Sequence, residues 1–472
     1  MKQLLSLSYW LVCLIAVDGQ SSENWPMFRG PNGSGVSDTA RPPFKFGPDE
    51  NVSWKVEVPS SPSSPCVWGE RIFLTTFADG KLETRCYSNN DGKLLWARPV
   101  PADKLEEFLP SEGSPASATP ATDGKRVVSY FGSCGLVCYD PDGREIWRHP
   151  LPVVETDGGF GSGTSPLIAG NLVVLNRDQS RNSSLLALNL ETGRKAWETA
   201  RPEARTSYGT PIVWANNGIK EVVTPGALLL KGYDLTTGEE RWSVSRVAHV
   251  GCTTPVLGDG LLFFAGWAPG KADSPWPSWK DFAAKYDKNG DGNITPDELE
   301  PEMRGFHKGM DFDHDGRVTE KDFDLLASYT AKGENVLVAV KSGGRGEITD
   351  SHAAWKANRG LPYVPSPLFY QSRVYLLKDG GMVSCLDAKN GTPFYTQERL
   401  GAIGSYYASP VAADGRIYAA SLDGKVTVFK AGGEKPEVLH QAEFRERIAA
   451  TPALVGQRLY VRTQTKLYAF GK

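Results

Sequence analysis

The sequence predicts an all-β chain closed into an eight-bladed β-propeller of four-stranded antiparallel blades, carrying a small α-helical insertion in blade five. Three observations lead there: a turn-dense composition, a repeat of blade length, and a strand at the N-terminus that the last repeat lacks. The 472 residues include 50 Gly and 33 Pro, with 40% hydrophobic and 10% aromatic residues, which suits short strands and tight turns better than helices. The formal net charge is -3, with acids and bases spread along the chain, so no field gathers nucleic acid or anionic lipid, and neither is expected as a partner.

The repeat is a Ser or Thr before Pro, then a strand-like run, at Pro65, Pro120, Pro166, Pro211, Pro255, Pro367, Pro410 and Pro452. One interval, Pro255 to Pro367, exceeds the others by about 68 residues, more than a blade period allows. About 30 residues after most of these prolines a turn precedes a tryptophan: NDGKLLW to Trp96, PDGREIW to Trp147, ETGRKAW to Trp197 and TTGEERW to Trp242. The pattern weakens later, with Trp355 after a longer turn, Tyr395 in the sixth copy and His440 near the end of the seventh. Glycine in those turns supplies the positive φ of a tight hairpin or its bulge. The eighth copy has two clear strands, RLYVRT and KLYAFG, and NVSWKVEV with Trp54 is the missing outer strand, so both chain ends meet in one blade and no sheet edge is left open.

LALNLETGRKAW and VCYDPDGREIW resemble the repeat of the PQQ-like eight-bladed propellers, and NWPMFRGPNGSGV resembles the start of many exported members. The resemblance covers nearly all of the chain outside the long interval. It implies the fold firmly and the chemistry weakly, because that family holds quinoprotein dehydrogenases alongside non-catalytic scaffolds of outer-membrane assembly.

Lys2, the apolar run Leu4 to Val17 and the small residues ending at Gly19 have the anatomy of a signal peptide cut after Gly19, with an uncleaved N-terminal anchor as the alternative. Export to the periplasm or the extracellular space follows, with no transmembrane span in the mature chain. Cys13 lacks the small residue expected before a lipidated cysteine. The domain plan is a signal peptide over 1–19, propeller over 20–267 and 335–472, and the insertion over 268–334.

Seven cysteines in an exported chain invite a disulfide reading. Cys86, Cys138 and Cys385 align with Ala187, Gly232, Ala339 and Ala469, a small inward-facing position where a thiol packs as a small hydrophobe. The pairing of Cys66, Cys134 and Cys252 stays open.

Within the long interval, WKDFAAKY leads into DKNGDGNITPDE and FHKGM into DFDHDGRVTEKD, and both loops resemble EF-hand calcium loops. Calcium takes oxygens at alternate positions around a bend: Asp287, Asn289 and Asp291, a turn at Gly292, the carbonyl of Asn293, Thr295 through water, and bidentate Glu298. The second loop offers Asp311, Asp313, Asp315, Gly316, the carbonyl of Arg317, Thr319 and Asp322, whose shorter carboxylate implies weaker calcium binding or more room for magnesium. Twelve residues separate the loops, so one helix is expected to serve as exit of the first and entry of the second.

Strand order places the insertion at a turn between second and third strands, on the face where segments lead into the innermost strands. Those segments carry Arg205, Tyr208, His249, Arg359, Tyr363, Tyr406, Tyr407 and Arg447, suited to a small ligand or a peptide at the channel mouth, with loop polarity and tyrosine packing as the plainer reading. The function expected is a calcium-stabilised binding scaffold for an unknown protein or small molecule. The alternative is a PQQ-dependent oxidoreductase with the quinone at that mouth. It is disfavoured by the lack of an adjacent cysteine pair and of a C-x-x-C-H site. A hydrolase has no motif in its support.

Overall fold

The computed structural model describes residues 24–216, 218–268, 277–313 and 315–472. The expected signal peptide, Cys13 and the start of the insertion lie outside the described residues. Eight antiparallel sheets form the ring. Blade one is Cys66–Trp68, Arg71–Ala78, Lys81–Ser88 and Leu94–Val100, inner to outer. Blade eight takes Ala453–Val455, Arg458–Arg462 and Lys466–Gly471 from the C-terminus and Val52–Glu57 from the N-terminus. Trp54 pairs with Ala469 there, as the repeat predicts.

Each conserved element of the repeat has a contact that explains it. The hydroxyl residue before each proline accepts a backbone N–H from the preceding blade. Ser64 N donates to Thr119 Oγ1 at 2.9 Å, Thr119 N to Ser165 Oγ at 3.0 Å, Ser165 N to Thr210 Oγ1 at 3.1 Å and Thr210 N to Thr254 Oγ1 at 3.1 Å. The chain of bonds continues from Thr254 N to Ser366 Oγ at 2.9 Å, Ser366 N to Ser409 Oγ at 3.0 Å and Ser409 N to Thr451 Oγ1 at 3.0 Å. Thr451 N then donates to Ser64 Oγ at 3.0 Å and closes the circle. All eight residues are buried, so an orphaned N–H at any one would cost about 1–3 kcal/mol. The proline that follows has no N–H to lose, which suits the first residue of an edge strand along the channel.

In five blades the outer-strand tryptophan locks the blade to the next. Trp54, Trp96 and Trp147 donate their indole N–H to the carbonyls of Asn89, Pro141 and Leu190, at 3.0, 2.9 and 2.9 Å. Their rings cover the turn glycines Gly92, Gly143 and Gly193, where a Cβ would come within 2.6 Å of the indole and where φ is positive. Any side chain there clashes with the ring and strains the turn. Across the strand pair the tryptophan faces a small residue: Cys86 opposite Trp96, Cys138 opposite Trp147, Ala187 opposite Trp197, Gly232 opposite Trp242. The cysteines at this position therefore pack. All six described cysteines are free thiols, and burial pushes Cys86 and Cys138 up to about 12.

Blade four departs from the four-stranded expectation. The long turn of blade five lies beside it as a fifth, parallel strand, Gly346–Glu347, paired with Trp242 and Ser243. That turn brings no glycine under Trp242, whose indole N–H goes instead to Glu221 Oε2 at 3.0 Å in its own blade.

Between Gly266 and Val336, second and third strands of blade five, stand three helices: α1 (Trp279–Tyr286), α2 (Pro301–Met310) and α3 (Glu320–Thr330). The residues between the loops hold one helix, α2, as expected, but it does not run on from the 3-10 turn Pro296–Glu298 that closes the first loop. Pro301 is the cause, since the residue before a proline is kept out of the α region and Glu300 sits at φ -60, ψ 148. Among the described residues, no helix is long and apolar enough to cross a membrane.

Candidate functional site

The helical unit packs around Phe282, Tyr286, Ile294, Met310, Val318 and Phe323, with the Phe282 and Phe323 rings 4.7 Å apart. Its two acidic loops run antiparallel, joined at Ile294 and Val318 by reciprocal N–H to carbonyl bonds of 2.9 Å. Ile294 and Val318 are the eighth residues of their loops, so the loops face one another as equivalents.

In the first loop Asp287 accepts the N–H of Gly290 at 2.8 Å, Asp291 at 3.1 Å and Gly292 at 2.9 Å, and Gly292 holds φ +77. Asn289 Oδ1 accepts Asp291 N at 2.9 Å, and Asp291 accepts Asn293 N at 2.8 Å. Glu298 reaches back to Thr295 N at 2.8 Å, Thr295 Oγ1 at 3.0 Å and Lys288 N at 3.2 Å. Those backbone donors, Thr295 first, hold its carboxyl below the usual range.

The second loop repeats the pattern with Asp311 accepting Asp315 N at 3.0 Å and Gly316 N at 2.9 Å, and Asp315 accepting Arg317 N at 2.9 Å. Carboxylate oxygens of Asp311, Asp313 and Asp315 lie within 4.8 Å of one another. Asp322 is fully buried and takes four hydrogen bonds, from Phe312 N, Asp313 N, Thr319 N and Thr319 Oγ1, at 3.0, 3.2, 3.0 and 2.6 Å. Burial works against its charge, and the Thr319 hydroxyl and these N–H groups outweigh it, so its carboxyl is held low.

The helical unit rests on the rim of the ring. Gly305 and Gly309 of α2 let its backbone approach the turn at Asp157 to Gly159, where a Cβ on Gly305 would be 3.2 Å from the Gly158 carbonyl. Phe306 meets Phe160 edge to face at 5.9 Å, and Lys308 pairs with Glu107 at 2.9 Å. Arg205 joins the two parts: its guanidinium binds both oxygens of Asp157, at 3.0 and 3.1 Å, and lies 4.2 Å from the ring centre of Phe312, second residue of the second loop.

Between the helical unit and the ring lies a cavity of about 460 Å³. On the ring side it is lined by Phe28 and by six members of the hydroxyl circle, among them Ser64, Thr119 and Ser366. Phe306, Leu326 and Tyr329 of the helical unit form the other side, with Phe160, Tyr208, Tyr363 and Tyr407 around the edge. Charged lining groups are Glu112, Asp157 and Arg205. His249 also lines it, held below its ordinary value by burial and hence neutral at pH 7, with no partner for Nδ1 among the described residues. Burial pushes the Cys252 thiol in the same wall up to about 12.

Of the eight predicted mouth residues, the cavity gathers Arg205, Tyr208, His249, Tyr363 and Tyr407. Arg447 stacks on Tyr407 at 5.7 Å and lines a neighbouring cleft with Phe77 and Phe108. Tyr406 turns into the core and donates to the Ala402 carbonyl at 2.8 Å, and Arg359 points to solvent. Phe28, Glu112, Asp157 and Phe160 escape a reading of repeats, because they come from the N-terminal segment and irregular connections that share no period.

A family model described as outer membrane protein assembly factor BamB matches residues 79–249 and 326–471, and leaves out most of the helical unit. No curated protein matches the chain. Among solved structures, BamB from Moraxella catarrhalis is similar at 11% identity over 89% of this chain and 98% of that one, with a TM-score of 0.55. The computationally designed Ika8 protein is similar at 10% identity over 89% and 100%, TM-score 0.58. The quinohemoprotein alcohol dehydrogenase from Comamonas testosteroni is similar at 12% over 96% and 81%, TM-score 0.60. At such identities the likeness is one of fold.

Proposed function

Because this chain belongs to the PQQ_2 family, described as outer membrane protein assembly factor BamB, and adds to that ring a helical unit walling a cavity, we propose an exported binding scaffold organised by calcium. The observation that carries this reading is the shared cavity, with one side built by the ring and the other by helices of which the family match omits α1, α2 and the first half of α3. Its aromatic and aliphatic walls with a few polar groups suit the apolar part of a small molecule or a peptide side chain. Export rests on the N-terminal sequence, and the assembly-factor description of the family favours a protein partner.

The helical unit acts as an EF-hand pair in this reading. Both loops offer oxygens at the positions calcium requires, both turn through a glycine with positive φ, and they pair through Ile294 and Val318. Calcium then neutralises the clustered carboxylates and fixes the helices that wall the cavity.

The quinone alternative fits poorly. PQQ carries three carboxylates, whereas the cavity offers Glu112 and Asp157 and a single arginine already engaged by Asp157. A thiol hydrolase is also disfavoured, since Cys252 stays protonated at neutral pH.

Calorimetry of calcium into the full chain is expected to show two sites, and one after Glu298→Gln. No heat at millimolar calcium would reject the metal reading. Addition of PQQ with calcium is expected to leave dye unreduced, and dye reduction by the complex would overturn the scaffold reading. Fractionation of cells expressing the full chain tests export.

A further inference from the structure

The segment after Asn24 crosses the channel on the face opposite the helices. It bridges Trp25 to Val67 in blade one, accepts Thr122 N through Pro26, clasps Val213 of blade four through Asn32 at 2.8 Å in both directions, and bridges Val36 to Ala412 in blade seven. Arg29 stands in the middle of this crossing with 0% exposure. Its Nη2 donates to the Pro367 carbonyl at 2.7 Å, while Nε and Nη1 have no acceptor among the described residues. The Cβ position of Gly35 lies 2.8 Å from that Nη2 and 3.2 Å from the Pro410 carbonyl. The guanidinium therefore sits beside the residues that follow Ser366 and Ser409, two members of the hydroxyl circle.

Arg201 shows how this protein treats another fully buried guanidinium. Asp178, also fully buried, takes its Nε and Nη2 at 2.7 and 2.9 Å, and the Tyr233 hydroxyl takes Nη1. Arg29 forms no such ion pair with a protein carboxylate among the described residues. Burial pushes it down to about 9, which leaves it charged at neutral pH. An uncompensated charge at such depth is strongly unfavourable. Ser366 and Ser409 directly precede Pro367 and Pro410, and each accepts one N–H and keeps a hydroxyl proton to offer.

We propose that the channel axis holds one small monovalent anion, chloride in ordinary salt, bound by the Arg29 guanidinium with the hydroxyls of Ser366 and Ser409. The complete burial of Arg29 selects for size, since a spherical halide accepts N–H and O–H donors from any direction. Ser366 and Ser409 also line the cavity under the helices, so the site borders that cavity, and it stands whether or not the acidic loops bind calcium.

The test compares thermal unfolding of the full chain in sodium chloride and sodium gluconate at equal ionic strength. Chloride or bromide is expected to raise the midpoint by about 1–2 °C per tenfold concentration, and Arg29→Met to lose the dependence. Crystals grown in bromide are expected to show anomalous density within hydrogen-bond reach of Arg29 Nε or Nη1. Equal midpoints in the two salts, a chloride effect that survives Arg29→Met, or water in place of bromide at Arg29 would each overturn the proposal. If Arg29→Met fails to fold, the bromide experiment on the unaltered chain decides.

Discussion

The two acidic loops come from one sequence pattern and meet in one antiparallel pair, yet they face different surroundings. The first, ending in Glu298, has Asn289 and Asp291 in solvent and, among the described residues, no hydrogen bond or ion pair to a blade. The second, ending in the shorter Asp322, buries Asp311 and Asp322 and presses Phe312 onto Arg205 of the ring. The loop with the better calcium pattern is thus the one further from the cavity, and the loop with the weaker pattern is the one wired to it. Ligand chemistry and mechanical coupling have been divided between the loops. An event at the second loop can be felt through Phe312, Arg205 and Asp157 at the cavity wall, whereas an event at the first must travel through the bridge at Ile294 and Val318.

The largest test of that difference removes the closing carboxylate of each loop in the absence of metal. Asp322→Ala leaves the N–H groups of Phe312, Asp313 and Thr319 without an acceptor, and should destabilise the helical unit by about 3 kcal/mol. Glu298→Ala should cost less, about 2 kcal/mol, because it orphans only the N–H groups of Lys288 and Thr295. Amide exchange over residues 279–330 in chelator measures both. Equal effects would mean that contact with the ring adds nothing to the second loop.

A second test works from the ring side of the same contact. Glu106, next to the Glu107 that holds Lys308, is buried and bonded to Ser162 N at 2.9 Å and Ser162 Oγ at 3.0 Å. Desolvation raises its carboxyl to about 8, against the opposing effect of those Ser162 bonds. The folded state therefore holds a proton that the unfolded chain releases near 4.5. Stability from this group is complete below that value and is lost as pH rises through about 8, on the order of 5 kcal/mol. Glu106→Gln should remove this part of the slope when urea unfolding is compared at pH 5 and pH 8.5. An unchanged slope would show that the rim does not titrate and that the contact is insensitive to pH.

The ring was legible because its contacts recur. The Ser/Thr-Pro spacing, the turn glycine and the tryptophan each appear at blade intervals, and each makes a contact between neighbouring blades, Trp242 excepted. Periodicity marked those positions without revealing the contact, so a closed circle of hydroxyls could not be foreseen from spacing. The cavity was half legible for the same reason. Tyr407 and Tyr406 are neighbours with equal claim in sequence, and only the strand geometry sends one to the cavity and the other to Ala402. Arg29 and Asp157 occur once, outside any period, and nothing local to them signals that one crosses the channel and the other receives Arg205.

The coupling itself is smaller and needs a double-mutant cycle. Arg205→Met keeps most of the side-chain volume and removes the charge over Phe312, and Phe312→Leu removes the ring. The pair should show an interaction of about 1 kcal/mol in the unfolding of the helical unit, as a partly buried cation over an aromatic face does. The same cycle with Asp287→Asn in place of Phe312→Leu should show none, since no contact links the first loop to Arg205. Coupling of both loops to Arg205 would erase the division of roles.

The smallest effect belongs to the exposed end of the contact. Lys308 and Glu107 approach to 2.9 Å, but both are about half exposed, so water and salt screen the pair. Lys308→Ala should shift the unfolding of the helical unit by less than about 0.5 kcal/mol and lose even that at 1 M salt. The close approach of α2 to the rim comes from Gly305 and Gly309, which leave no side chain between the helix and the turn at Gly158. A Cβ at Gly305 would stand 3.2 Å from the Gly158 carbonyl, so Gly305→Ala should move the helix more than loss of the ion pair does. If Lys308→Ala proved the more disruptive of the two, the rim would be held by charge, and the second loop's place beside the cavity would depend on ionic strength instead of shape.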